Sequence, residues 1–292
     1  MIRVHQLTQM YPSKKGIFDV SFTIEAGEIF GFLGPNGSGK TTTIRGLLGQ
    51  MNLTEGSILI NGLDPRKDVV EVNQQVGYLP GEIHFFNRFT GKQFLDFLSQ
   101  MRQMKDMTKR ETLLQYFELD ETVPIKKMSK GMKQKLALVA AFMHDPQILI
   151  LDEPTSGLDP LMQNRFLSLV IEEKARGKTI LMSSHIFEEI EKVCDRALLI
   201  KEGRVMTIED FTKKKTAVEE LYTVTLDKEN DNILKGSFKI IKKTATQYEL
   251  FIKDNLKEAL GFLSQFDVVK IENKRQSIED IFMMYYGDEK ND

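Results

Sequence analysis

Short apolar runs alternate with helical patterns as far as about residue 205. That alternation predicts strands and helices in turn and an α/β fold. Ile29–Leu33 predicts a buried strand, Gly34 then opens a glycine-rich turn, and Thr41–Leu48 has helix-forming spacing. Gly56–Ile60 predicts a strand running into an Asn61-Gly62 turn. Ile148–Leu151, Thr179–Met182 and Ala197–Ile200 predict three further buried strands. From about 85 to 145 the period changes. Phe94, Phe97, Leu98, Met101 and Met104 recur at helical spacing, and Leu113, Leu114 and Phe117 continue it, so this stretch predicts a mostly helical insert.

The texture changes again after residue 212. Lys213-Lys214-Lys215 marks a solvated break. Tyr222, Val224 and Leu226 then alternate with threonines, and Tyr248, Leu250 and Ile252 alternate in turn, as half-buried strands do. Leu256, Ala259, Leu260 and Leu263 form a helix face, and Ser277-Ile278-Glu279-Asp280 has the form of a capping box before a last helix with Ile281, Phe282 and Tyr285. The order predicts a core over 1–212 and a small α+β accessory domain over 213–292.

Composition narrows the class. The chain has 292 residues, near the size at which a second domain is expected. The formal net charge of -2 speaks against a nucleic-acid partner held by bulk positive charge. The single cysteine, Cys194, excludes an internal disulfide and fits a reducing compartment. Met1 to His5 lack the apolar stretch of a signal peptide. The longest apolar stretch, Leu136–Met143, is far shorter than the roughly 18 residues a membrane span needs. A membrane role is therefore expected to come through a partner.

Two motifs carry chemistry. Gly34-Pro35-Asn36-Gly37-Ser38-Gly39-Lys40-Thr41, followed by Thr42, fits the P-loop pattern between a strand and a helix. Its glycines let backbone N–H groups point at phosphate oxygens, and the helix adds its positive end. Lys40 reaches the terminal phosphates, and the Thr41 hydroxyl suits Mg²⁺, a hard cation. Ile148–Leu151 then ends in Asp152-Glu153. A strand's carboxyl end delivers such acids to the crevice where open α/β sheets bind ligands. Asp152 is placed to hold Mg²⁺ and Glu153 to orient or deprotonate the attacking water.

Many P-loop enzymes share those elements. Met128-Ser129-Lys130-Gly131-Met132-Lys133-Gln134 resembles the signature loop of ATP-binding-cassette (ABC) ATPases, usually written LSGGQ. Ser129 and the second glycine, Gly131, are kept, while Lys130 and Met132 replace the first glycine and the glutamine. Ser156-Gly157-Leu158-Asp159 is similar to the D-loop, Ser184-His185 to the H-loop, and Tyr11 to the aromatic that stacks on adenine. Such stacking contributes on the order of 1–3 kcal/mol. The chain thus resembles an ABC transporter nucleotide-binding domain over about residues 1–210.

The resemblance implies a P-loop NTPase core with an antiparallel β subdomain and a helical insert, taking ATP and Mg²⁺. It implies two such domains closing on ATP, the P-loop of one facing Ser129–Met132 of the other, with Ser129 and Gly131 capping the γ-phosphate. Asp159 belongs to the same nucleotide face, and His185 touches the terminal phosphate. The expected partners are a membrane permease and a second ATPase subunit, like or unlike, with no nucleic acid. The expected location is cytoplasmic, on the inner face of the membrane.

Two positions depart from the pattern. Gly81 stands where the family has a hinge glutamine, so Glu82 or water takes the Mg²⁺ position. Lys130 adds a cation that either strengthens or distorts the phosphate cap. Both departures, and the tail from Ile278 to Gly287, resemble ABC exporters of drugs, lipids and antimicrobial peptides. Phe85, Phe86 and Phe89 are either the groove that grips the permease or core of the insert. The alternative function is a soluble ABC ATPase of translation or repair type. Repair members carry long coiled-coil insertions and ribosome-associated members usually two cassettes, whereas this chain has one P-loop and neither feature.

Overall fold

The computed structural model describes residues 1–13, 15–214, 219–230, 232–233, 238–253 and 256–273. The chain divides into two compact units, Met1–Asp210 and Phe211–Asp292.

The first unit begins with β1 (Ile2–Met10) and β2 (Gly16–Ile24), then β3 (Ile29–Leu33), α1 (Lys40–Leu47), β4 (Glu55–Ile60), α2 (Val69–Gln75) and β5 (Val76–Leu79). The insert holds α3 (Gly91–Met101), α4 (Thr108–Tyr116), a 3₁₀ turn at Ile125–Lys127 and α5 (Lys130–Phe142). There follow β6 (Ile148–Asp152), α6 (Pro160–Ala175), β7 (Thr179–Ser184), α7 (Phe187–Val193), β8 (Arg196–Lys201) and β9 (Arg204–Asp210).

Two sheets form. One is antiparallel, in the order β2-β1-β4. The other runs β5-β6-β7-β3-β8-β9, parallel except for its last strand. Every residue of β3, β6 and β7 is buried, as expected of parallel strands covered on both faces. Helix α1 lies in the core between the sheets. Its Ile44 and Leu47 join Leu7 and Ile58 from one sheet and Phe32, Ile150 and Leu198 from the other in a single cluster. The predicted turn after β4 is present, with Asn61 and Gly62 at φ 49° and 84° and Ile60 bridged to Leu63.

The apolar positions of the insert point differently from a simple core helix. Thr90 starts α3 with a capping box to Gln93. The buried residues of α3 are Gly91, Leu95 and Ser99. Phe97 and Met101 are 38% and 67% exposed, and Met104 lies beyond the helix end. Phe97 instead meets Phe86 and Phe89, with ring centroids 5.9 and 6.3 Å away. Phe85 packs edge-on against Phe94.

In the second unit, α8 (Phe211–Lys214) precedes β10 (Glu219–Leu226), β11 (Lys239–Lys243), β12 (Gln247–Lys253), α9 (Leu256–Leu263) and β13 (Val268–Asn273). The sheet is antiparallel in the order β11-β12-β10-β13. The alternating Tyr222, Val224, Leu226, Tyr248, Leu250 and Ile252 supply its core together with Ala259 and Leu263 of α9. Lys213 and Lys214 close the short α8. Lys215, the capping box at Ser277–Asp280 and the tail to Gly287 lie outside the described residues. Among the described residues no helix is long and apolar enough to cross a membrane.

Candidate active site

Sheet order assembles the site. Strands β5, β6, β7 and β3 are neighbours and parallel, so their carboxyl ends form one row. Along that row stand Gly81 after β5, Asp152 at the end of β6 with Glu153 just after it, Ser183 and Ser184 at the end of β7 with His185 just after them, and the P-loop after β3.

The P-loop is shaped for an anion. Gly39, with φ 114°, is the N-cap of α1, a conformation open to glycine and strained for other residues. A Cβ there would also lie 2.7 Å from Ile17 Cγ2 of β2. No side chain caps α1, and its first turn holds no acid, which leaves its N–H groups and positive end for a ligand. Ser38 Oγ is buried and has no hydrogen-bond partner among the described residues. Buried polar atoms are nearly always paired, so this hydroxyl fits a loop built round phosphate oxygens. Asn36, Gly37 and Thr42 complete the loop.

Lys40 is 6% exposed. Its Nζ donates to the carbonyls of Gly34 and Pro35 at 2.6 and 3.3 Å. It also lies 3.2 Å from Glu153 Oε1, a charge contact without hydrogen-bond geometry, and that buried oxygen has no hydrogen-bond partner among the described residues. The other oxygen, Oε2, lies 2.7 Å from His185 Nδ1. Thr41 Oγ1 donates to Asp152 Oδ2 at 2.8 Å. The structure therefore brings together Lys40, Thr41, Asp152, Glu153 and His185, five residues singled out in the sequence.

Ser183 was not among them and lies at the centre. Its hydroxyl donates to Asp152 Oδ1 and accepts from the backbone N–H of Glu153 at 3.0 Å. Glu153 has φ 49°, a left-handed conformation that costs a non-glycine residue ~1–2 kcal/mol. The Ser183 bond helps to hold it. Behind it, Glu189 of α7 accepts from Thr155 at 3.0 Å and from Ser184 at 2.9 Å, tying the chain after Glu153 to the chain before His185. Burial, and after it the charge of Asp152, push the Tyr78 phenol up to about 12, so it stays neutral at the edge of the site.

The remaining candidates sit elsewhere. Tyr11 is 37% exposed in the β1–β2 loop, where its N–H meets the Lys15 carbonyl at 2.8 Å. Ser129 is the N-cap of α5 and accepts from Met132 N at 3.2 Å, while Asp159 is the N-cap of α6 and accepts from Met162 N at 3.0 Å. Among the described residues no hydrogen bond joins these two to the P-loop. Gly131 packs on its own D-loop: a Cβ there would lie 3.0 Å from the Gly157 carbonyl. Glu82 is exposed. A Cβ on Gly81 would lie 3.1 Å from Asp152 Oδ2, so the chain passes close to that carboxylate.

A P-loop, two strand-end acids and a histidine at one sheet edge define a nucleotide-hydrolysing α/β ATPase. Residues 17–156 match the family described as ABC transporter. The chain is 30% identical over 288 residues to the ABC transporter ATP-binding protein YtrB of Bacillus subtilis (strain 168), covering 98% of each. It is 31% identical to the bacitracin transport ATP-binding protein BcrA of Bacillus licheniformis over 98% of this chain and 97% of that one. It is 35% identical to the linearmycin resistance ATP-binding protein LnrL of Bacillus subtilis (strain 168) over 71% and 68%. A solved ATP-binding subunit of an ABC transporter, 32% identical, superposes with a TM-score of 0.68 over 74% of this chain and 92% of that chain. A dimeric ABC transporter cassette, 21% identical, shares the fold with a TM-score of 0.66 over 72% and 99%. The chain belongs to the ABC transporter ATP-binding proteins, and is an ATPase of that family.

Proposed function

We propose that two copies of this chain close over two ATP molecules and that the closure drives a separate membrane permease. The reading is carried by the two free-standing halves of the site. Lys40, Thr41, Asp152, Glu153 and His185 converge at one edge, while Gly131 packs on its own D-loop and, with Ser129, faces a partner's triphosphate. Glu153 is the base. Its Oε1, buried and without a hydrogen-bond donor among the described residues, is the oxygen that takes the proton of the attacking water, and His185 holds the opposite oxygen. Lys40 and the P-loop N–H groups meet charge on the transferred phosphoryl group. Tyr11 stacks on adenine, and Asp159 sets the D-loop at the closed interface.

Thr41 and Asp152 would hold a magnesium ion, since two oxygen donors 2.8 Å apart suit a hard cation. Bound there, it would screen the triphosphate charge. Glu82 lies next to Gly81 and is the nearest side chain by sequence that could add a ligand as the hinge moves.

The exposed aromatic group on the insert is the surface that receives the permease. Phe86 is 56% exposed and packs at a tilt against Phe89 and edge to face against Phe97, and exposed apolar patches of this kind mark protein contacts. The names of BcrA and LnrL support export of an amphipathic peptide, drug or lipid. The location follows as the inner face of the cell membrane. Purification in mild detergent tests this: a membrane protein should accompany the chain and stimulate its ATPase, and Phe86→Ser should abolish both while leaving basal hydrolysis intact. A Phe86→Ser chain that still retains its permease ends the surface assignment.

A further inference from the structure

The signature helix and the residues that follow Glu153 are joined inside one chain. Gln134, 4% exposed on α5, donates from Nε2 to the carbonyl of Pro154 at 2.7 Å. Pro154 directly follows Glu153, whose left-handed backbone needs outside support to persist. A second contact reinforces the first. The stem of Lys130 lies across Gly157, where a Cβ would meet its Cγ, Cδ and Cε at 2.9, 3.0 and 3.0 Å. Gly131 also lies close to the Gly157 carbonyl, which a Cβ on it would meet at 3.0 Å. The signature loop and residues 153–157 are therefore packed as one piece.

In the dimer proposed above, on which this inference rests, the two ends of that piece serve different nucleotides. Ser129 and Gly131 face the partner's ATP, whereas Glu153 acts on its own. We infer that Gln134 is a positioning residue: it sets the base of its own chain according to whether the signature loop of that chain is engaged across the interface. Each copy then hydrolyses only when its signature has closed on the other copy's triphosphate. The link is a neutral amide on a buried carbonyl, so it transmits position and not charge, and a leucine of similar size removes it while filling the space. The same piece gives Lys130 a place. Its methylene stem bears on the D-loop, so engagement of the loop is passed to Gly157 as well as to Pro154.

Mixed dimers of full-length chains with two different tags test this. In one arrangement a Gln134→Leu chain is paired with a Glu153→Gln chain, so the only working base belongs to the chain without the amide. In the other, both substitutions lie in one chain and the partner is wild type. The inference expects turnover in the first to fall about tenfold below a dimer of Glu153→Gln with wild type, and turnover in the second to match that reference. A residue that merely shaped the signature loop would give the reverse pattern. The reverse pattern, equal loss in both, or loss in neither overturns the inference. The Glu153→Gln chain alone serves as the separate check on the dimer: if it stays monomeric in ATP and Mg²⁺, the closure reading itself falls.

Discussion

His185 holds Glu153 from one side, with Nδ1 2.7 Å from Oε2, and thereby turns the other oxygen toward Lys40. Glu153→Gln keeps the size of the group but cannot take a proton. ATP binding should persist, turnover should fall by about 100-fold or more, and an ATP-bound dimer should accumulate on size exclusion. Hydrolysis at the wild-type rate would remove Glu153 from the role of base.

Ser183 serves two masters, Asp152 through its proton and the Glu153 N–H through its lone pair. Ser183→Ala leaves a buried N–H unpaired, which costs ~1–3 kcal/mol. The expected result is a kcat about tenfold lower with little change in nucleotide affinity. A variant that lost thermal stability yet turned over normally would reduce the hydroxyl to a packing element.

Ser129 caps α5 at the proposed dimer face. Ser129→Arg puts a bulky cation there and removes a cap worth ~1 kcal/mol. Association with ATP should fail while the monomer's ATP affinity, measured by calorimetry, stays near wild type. Undiminished dimerisation would count against the face assignment.

His144 controls acid stability. Burial, with the nearby Arg102 charge, pushes its imidazole from 6.5 down to about 4, and its buried Nδ1 has no hydrogen-bond partner among the described residues. The folded chain keeps the ring neutral where the unfolded chain protonates it. Stability should therefore fall as pH drops from 6.5 toward 4, by on the order of 3 kcal/mol. His144→Gln should flatten that slope in urea unfolding at pH 7 and pH 5. An unchanged slope would assign the acid sensitivity to other groups. Asp145 and Glu173 act in a lower window. Burial raises both carboxyls, but Lys109 and Lys178 pull them below their usual values, so their contribution is lost only as pH falls further.

The sequence made some of this legible and hid the rest for physical reasons. The P-loop reads directly because phosphate binding constrains spacing and residue type together, and β3, β6 and β7 read as unbroken apolar runs because both faces are covered. Strands β1 and β2 escaped notice because register shifts after Val4 and Leu7 break their alternation, with Gln6 and Asp19 at positive φ. The period of α3 marked a face without saying which way it points. Phe97 turns outward to Phe86 and Phe89, and Met101 is exposed. Gln134, although part of the signature segment, and Ser183 gave no sign of the contacts they make, since their partners include backbone groups that any sequence would supply.

At position 81, where the resemblance leads one to expect a glutamine, there is no side chain, and a Cβ added there would lie 3.1 Å from Asp152 Oδ2. Any side chain there would have to move the carboxylate or itself by a few tenths of an ångström. The room beside the carboxylate at the end of β6 is thus set by main chain, with no rotamer able to swing into it or out of it.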